Sequence, residues 1–316
     1  MKKLRVGVIG VGHLGQHHTR LYAGLPAAAL VGVYDTDTKR AQSVADRYGT
    51  AAYHEQSALL RQVEAVSVAV PTSEHYAVVQ ACLRAGAHVL VEKPIAASST
   101  EARDLVGAAK THGRVLQVGH IERFNPAIRS VRPYIAKPAF IECHRLSPFS
   151  ERGTDVDVVL DLMIHDLDMV LSFQPGRVEE IRAAGVPVLS SAIDIANARI
   201  AFSGGCVANL TASRVSTTRM RKLRLFQRDA YISVDYQARQ GAIFRRRTGR
   251  DARPEIEMEP VQTVDEEPLK LELEAFLHAA ATGTPPLVTG EDGAAALDLA
   301  YGVLEAIDTF VQRHTE

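Results

Sequence analysis

Apolar and polar positions follow one rhythm up to about Val118 and another after Phe124. Leu4, Val6, Val8 and Ile9 form a short apolar run bounded by glycines, the pattern of a strand buried on both faces of a parallel sheet. A helix starts near His13, and a second apolar run ends at Tyr34. Residues 38–48 read as a helix stopped by Gly49, 51–53 as a short strand, and 65–70 as a buried strand ended by Pro71. Residues 74–85 are a helix closed by Gly86, and 88–91 the next strand. Ser98 and Glu101 form a capping box for a helix reaching about His112, and 115–118 form a sixth strand. Six strands separated by helices predict a doubly wound parallel sheet, whose ligands bind beyond the carboxyl ends of its strands.

The second rhythm starts with a strand at 139–145 and a long, nearly all-apolar helix at 156–173. Runs rich in Val, Ile and Phe follow at 178–186, 193–202, 206–214, 223–226, 230–234 and 242–246, joined by short turns. That is the mark of a largely antiparallel sheet in an α+β domain. Residues 250–268, rich in Pro and Glu, read as a loop, and two helices near 269–281 and 292–312 close the chain around Pro285-Pro286. The expected class is α/β: an N-terminal Rossmann domain at 1–122 and an α+β domain with an open, largely antiparallel sheet at 123–316.

Composition adds bounds. A chain of 316 residues exceeds one comfortable core, and 46% apolar with 23% charged residues is ordinary for a soluble globular protein. A net charge of -1 gives no reason to expect nucleic acid, and the basic runs at 219–228 and 245–250 read as the wet faces of strands. Cys82, Cys143 and Cys206 have no metal-like or redox-pair spacing, which points to reduced thiols in a cytoplasmic protein without a metal site. The apolar run after the opening Met-Lys-Lys is too short for a membrane span.

The candidate chemistry begins at Gly10-Val11-Gly12-His13-Leu14-Gly15. Gly10 allows the tight bend, Gly12 the approach of a pyrophosphate to the backbone, and Gly15 close packing of helix on strand. The free amides at the helix start favour an anion. Asp35, at the end of the second strand, stands where an acid accepts the adenine ribose hydroxyls, which favours NAD, while Lys39 and Arg40 keep NADP possible. The loops after strands four, five and six should face that cofactor and carry Thr72 and His75, Glu92 and Lys93, and the segment through Arg123. On the helix at 156–173, Asp157, Asp161, His165 and Asp168 recur on one stripe, which must face a polar cleft or an internal network. His165, whose ordinary pKa is about 6.5, is the natural base for removing a hydroxyl proton.

The glycine motif with Asp35, the VLVEKP run ending at Pro94, and Asp161-x-x-x-His165 together resemble the glucose-fructose oxidoreductase/inositol dehydrogenase (GFO/IDH/MocA) oxidoreductases over essentially the whole chain. The resemblance implies that Lys93 and His165 converge on a substrate hydroxyl beside the nicotinamide, with Asp161 orienting the sugar or the histidine. It also implies oligomer contacts through the open sheet, and the long alternating strands point independently to a homodimer or homotetramer. Gly119-His-Ile-Glu-Arg-Phe-Asn-Pro126 is similar to the UDP-N-acetylglucosamine 3-dehydrogenase branch, which oxidises the C3 hydroxyl of that sugar nucleotide. By that similarity Arg123 and Asn125 lie near the substrate; locally, Asn125 with Pro126 reads equally well as a helix cap. The alternatives are a dehydrogenase of another sugar, sugar acid or inositol, a redox-neutral NAD-dependent glycosidase, and a non-catalytic NAD-binding sensor.

Overall fold

The computed structural model describes residues 3–149, 156–248 and 254–314. The chain forms two compact units: Met1–Ile121 with Glu267–Leu297, and Glu122–Glu266 with Asp298–Glu316. In the first unit β1 (Leu4–Ile9), α1 (His13–Gly24), β2 (Ala28–Tyr34), α2 (Thr38–Tyr48), β3 (Ala51–Tyr53) and α3 (Gln56–Leu60) precede β4 (Ala65–Val68), α4 (Thr72–Arg84), β5 (His88–Glu92), α5 (Ser99–Thr111) and β6 (Leu116–Gly119). The strands lie in the order β3-β2-β1-β4-β5-β6, all parallel, so the order reverses direction at β1/β4, the topological switch point of a Rossmann sheet. The expected stops hold. Gly49 takes a left-handed C-cap, and Ser98 accepts from the Glu101 amide at 3.2 Å while Glu101 reaches back to Ala97 N at 3.1 Å. The one-turn helix α3 is too short to leave a periodic signal in the sequence.

The second unit opens with α6 (Pro126–Val131) and β7 (Phe140–Leu146), then a π-helical turn at Val159–Met163 that runs into α7 (Ile164–Ser172). Next come β8 (Val178–Val186), β9 (Ile195–Phe202), β10 (Val207–Ser213), β11 (Met220–Gln227), β12 (Ala230–Asp235), β13 (Gln240–Thr248) and β14 (Pro254–Val261). They form one eight-stranded sheet in the order β14-β13-β12-β11-β7-β10-β9-β8, antiparallel except for the parallel pair β7/β10. Strand β14 corrects the loop expected at 250–268. Its Glu255, Glu257 and Glu259 stand opposite Arg247, Arg245 and Ile243 of β13, so pairing with a basic strand overrides a composition that favours coil. Part of that segment, and residues 249–250 of the second basic run, lie outside the described residues.

Two helices end the chain, α8 (Pro268–Thr282) and α9 (Gly290–His314). Here the units depart from the contiguous division at 122/123: α8 and the start of α9 belong to the first unit. Leu273, Phe276 and Leu277 of α8 are buried in one cluster with Val6, Val8, Leu21 and Val33. An apolar face of three long side chains needs a partner, and here β1, β2 and α1 provide it. Among the described residues no helix is long and apolar enough to cross a membrane.

Candidate active site

The glycine turn is built from backbone contacts that leave no room for side chains at Gly10 and Gly15. Gly10 has φ +82°, and a Cβ there would stand 2.7 Å from the Ala69 carbonyl oxygen; at Gly15 it would stand 1.8 Å from the Gly10 carbonyl oxygen. At Gly12, the N-cap of α1, a Cβ would meet nothing within 4 Å. The turn is thus closed toward the sheet and open over the helix start, where the first amides have no intrahelical acceptor. His13 and Leu14 are exposed on that first turn.

Asp35 is buried and braces the turn: Oδ2 accepts from the Val11 amide at 2.8 Å and Oδ1 from the Asp37 amide at 2.9 Å. A carboxylate offers about four lone-pair directions, so these two amides leave acceptor capacity for a ribose diol. Arg40 lies 3.4 Å from Asp35 and 3.3 Å from Asp37, so its charge is directed at two carboxylates. Open backbone donors over Gly12 and a buried acid at the end of β2 fit an NAD-type dinucleotide.

The turn after β5 carries Glu92, Lys93 and Pro94, and the Lys93-Pro94 peptide is cis. Glu92 accepts from His18 of α1, Nε2 to Oε1 at 2.9 Å. Burial works to raise the Glu92 pKa, but the hydrogen bond and charge of His18, with Lys93 and His75, bring it below the ordinary value, so it is ionised. His75, expected to face the cofactor, is instead 1% exposed, with Nδ1 2.8 Å from the Pro94 carbonyl oxygen and Nε2 3.0 Å from that of Val70. Thr72, at the start of α4, and Lys93 are half-buried.

In the second unit the expected stripe divides. Asp157 precedes the helix and accepts from the Ile193 amide at 2.9 Å. Asp168 is buried and held bidentately by Arg123, Nε to Oδ2 at 2.8 Å and Nη2 to Oδ1 at 2.6 Å. Asp157, Asp161, inside the π turn, and His165, just after it, are half-buried. A π turn widens the helix locally and breaks the 3.6-residue register on which a single stripe depends, and such turns recur at functional sites.

Arg123 and Asn125 are likewise committed within this unit. Besides the Arg123 pair, Asn125 caps α6 by accepting from the Ala127 amide at 3.1 Å and donates to the Tyr236 carbonyl at 3.1 Å. Sequence reasoning missed a cluster of buried charges. Arg145 of β7 donates to both oxygens of Asp166, at 2.8 and 2.9 Å, and to Glu122 at 2.9 Å, with its guanidinium 5.5 Å over the Tyr236 ring. Burial opposes the guanidinium's charge, but Asp166 and Glu122 reverse that and raise its pKa well above the ordinary value. The signal was present in an arginine that shares one strand face with Ile141 and Cys143, yet its partners lie 21 and 23 positions away. Two arginines thus anchor α7 through Asp166 and Asp168, the neighbours of His165.

Residues 4–120 match the model of the GFO/IDH/MocA oxidoreductases with an NAD-binding Rossmann fold, and 127–233 match a GFO/IDH/MocA C-terminal domain. The UDP-N-acetylglucosamine 3-dehydrogenase of Acidithiobacillus ferrooxidans is 39% identical over 315 residues, 99% of this chain and 100% of that one. Its solved structure superposes with a TM-score of 0.92, covering 98% of this chain and 99% of that one. An inositol 2-dehydrogenase of Rubrobacter xylanophilus is 34% identical over 229 residues, 68% of this chain and 66% of that one. A levoglucosan dehydrogenase in complex with NADH and levoglucosan, 18% identical, shares the fold with a TM-score of 0.88 over 98% of each chain. The chain belongs to the GFO/IDH/MocA oxidoreductase family, and its first unit is an NAD-binding Rossmann domain.

Proposed function

We propose that this chain is a sugar-nucleotide dehydrogenase that oxidises the C3 hydroxyl of a UDP-N-acetylglucosamine-type substrate. The full-length 39% identity to a UDP-N-acetylglucosamine 3-dehydrogenase carries the substrate class. The chemistry is supported by the placement of Asp161 and His165, half-buried at the π turn on a helix that arginine pairs to Asp166 and Asp168 anchor.

Oxidation of an alcohol removes a proton from oxygen and a hydride from carbon, leaving a ketone. NAD, held by the Gly10 to Gly15 turn and Asp35, supplies a hydride acceptor when bound. The His165 imidazole takes the hydroxyl proton, and the Lys93 ammonium stabilises the charge developing on that oxygen. Asp161 orients either the imidazolium or a sugar hydroxyl. Arg123 and Asn125 act by holding α7 and α6 in place.

His165→Asn should lower turnover roughly 100-fold or more while NAD affinity and melting temperature stay near wild type. Asp161→Asn should lower turnover if Asp161 orients His165 and raise the Michaelis constant if it holds the sugar. Following NADH absorbance with a panel of UDP-sugars tests the substrate, and binding of NAD without turnover of any of them would sink this reading.

The open sheet face supports a homodimer or homotetramer. Phe140, Phe226, Tyr231, Phe244 and Met258 stand in one register row across five strands, with successive ring centroids 5.6, 4.8 and 4.9 Å apart. Their strand neighbours Ile141, Leu225, Ile232 and Ile243 point to the other face and are buried. A half-exposed aromatic row of this length suits a second copy of the same sheet. Light scattering showing a monomer at micromolar concentration would refute it. Three free, buried cysteines fit a reducing cytoplasm.

A further inference from the structure

Both neighbours of Lys93 are held by histidines that come from different helices. Glu92, the last residue of β5, accepts from His18 of α1, whose ring is fully buried. Because Glu92 is ionised, the Nε2 of His18 carries the proton in that bond. Gly119, the register partner of Glu92 on β6, leaves the space for this carboxylate: a Cβ there would stand 2.9 Å from Oε2 and 3.1 Å from Cδ. On the other side of Lys93, Pro94 accepts from His75 of α4.

The His75 ring faces two carbonyl oxygens but is pulled toward its neutral form by burial, against the two carbonyls and Glu92, which favour the cation. A neutral imidazole has one N–H to give, and the shorter contact, Nδ1 to the Pro94 oxygen at 2.8 Å, is the better placed. The two histidines therefore use different ring nitrogens, Nε2 in His18 and Nδ1 in His75. His18 also lies on the helix whose first turn presents its amides over Gly12, so one rigid element carries both the phosphate-binding amides and the grip on Glu92.

We infer that His18 and His75 are positioning residues for the reaction, fixing the Glu92-Lys93-Pro94 turn from both sides so that the Lys93 ammonium is delivered in one place. His18 acts through the Glu92 carboxylate and His75 through the Pro94 carbonyl. What Lys93 does there rests on the dehydrogenase reading above; that its turn is clamped does not.

The two ring nitrogens have side-chain mimics, since a glutamine amide nitrogen falls near Nε2 and an asparagine amide nitrogen near Nδ1. The test is a crossed set of four variants, read by turnover, by the dissociation constant for NAD, and by amide hydrogen exchange of residues 92–96. His18→Gln and His75→Asn should stay within about fivefold of wild-type kcat, whereas His18→Asn and His75→Gln should lose about 30-fold, the scale set by misplacing a reacting group by a fraction of an ångström. NAD affinity should stay within about threefold in all four, and exchange at 92–96 should accelerate about tenfold only in the two that lose kcat. Equal losses for Asn and Gln at a position, or NAD affinity falling in step with kcat, would overturn the inference. If wild type turns over no sugar nucleotide, the dehydrogenase reading fails while the crossed exchange pattern still decides whether the clamp exists.

Discussion

The glycine turn of the first unit and the His165 helix of the second are both ligand-facing candidates, and they are built in opposite ways. The turn is made by backbone: its closest contacts are carbonyl oxygens, and Asp35, which braces it, lies 24 residues from the amide it holds. The helix is made by side chains from distant elements, with Arg145 on β7 and Arg123 before α6 gripping Asp166 and Asp168. Backbone construction tolerates almost no added atom, whereas ion-pair construction tolerates shape changes but not the loss of one partner.

Four substitutions break or sharpen that contrast, in order of expected effect. Arg145→Leu leaves Glu122 and Asp166 as uncompensated buried carboxylates and should cost about 3–5 kcal/mol in denaturant unfolding. A loss below about 1 kcal/mol would mean that the two acids find other partners. Gly15→Ala places a methyl where the Gly10 carbonyl sits, and overpacking of this kind should cost about 1–3 kcal/mol and abolish measurable NAD binding by calorimetry. Retained NAD affinity would show that the turn can open without harm. Asp35→Ala removes the ribose acceptor but keeps the helix amides, so NAD should weaken by roughly 10- to 100-fold, the equivalent of about 1.5–3 kcal/mol for hydrogen bonds to a charged group. NADP should then be discriminated against less, because Arg40 loses one of its two carboxylates.

The smallest effect is a pH dependence. Asp194 is buried and accepts from the Val188, Leu189 and Ser190 amides at 2.8, 2.6 and 2.8 Å, beside Arg214 at 3.1 Å. Burial works to raise its pKa, but the Ser190 hydroxyl and these amides outweigh it and hold the carboxyl well below the ordinary value. With the folded pKa depressed, its contribution is fully present above the unfolded value of about 3.9 and is lost as pH falls toward the folded one. Asp194→Asn should flatten the acid limb of a melting-temperature profile below about pH 4 and lower the plateau above it. An unchanged limb would remove Asp194 from the acid-sensitive groups.

Much of the first unit was legible because its determinants are local. Glycines, caps and two-faced apolar runs act over a few residues, and Gly10, Gly12, Gly15 and Asp35 stand in the turn their spacing predicts. The roles of Asp157 and Asp168 were not legible. Their partners, Ile193 and Arg123, lie 36 and 45 residues away, and the π turn that holds Asp161 and interrupts the stripe has no composition of its own. Strand β14 was misread for the same reason, since a Glu-rich segment pairs only because Arg245 and Arg247 await it. His18 was passed over although it stands three residues beyond Gly15, because a histidine on an apolar helix face announces nothing until Glu92 is placed beside it.

The return of α8 to the first unit has a consequence for the order of synthesis. Val6, Val8, Leu21 and Val33 leave the ribosome early, but Leu273, Phe276 and Leu277, which seal the same cluster, emerge only after the whole eight-stranded sheet has been made. The nascent Rossmann sheet must therefore wait with one apolar flank uncovered while some 150 further residues are added at about 5–20 per second, an interval of roughly 8–30 s. A ribosome stalled before residue 268 should therefore present a first unit that proteases cut and that becomes resistant once α8 is out.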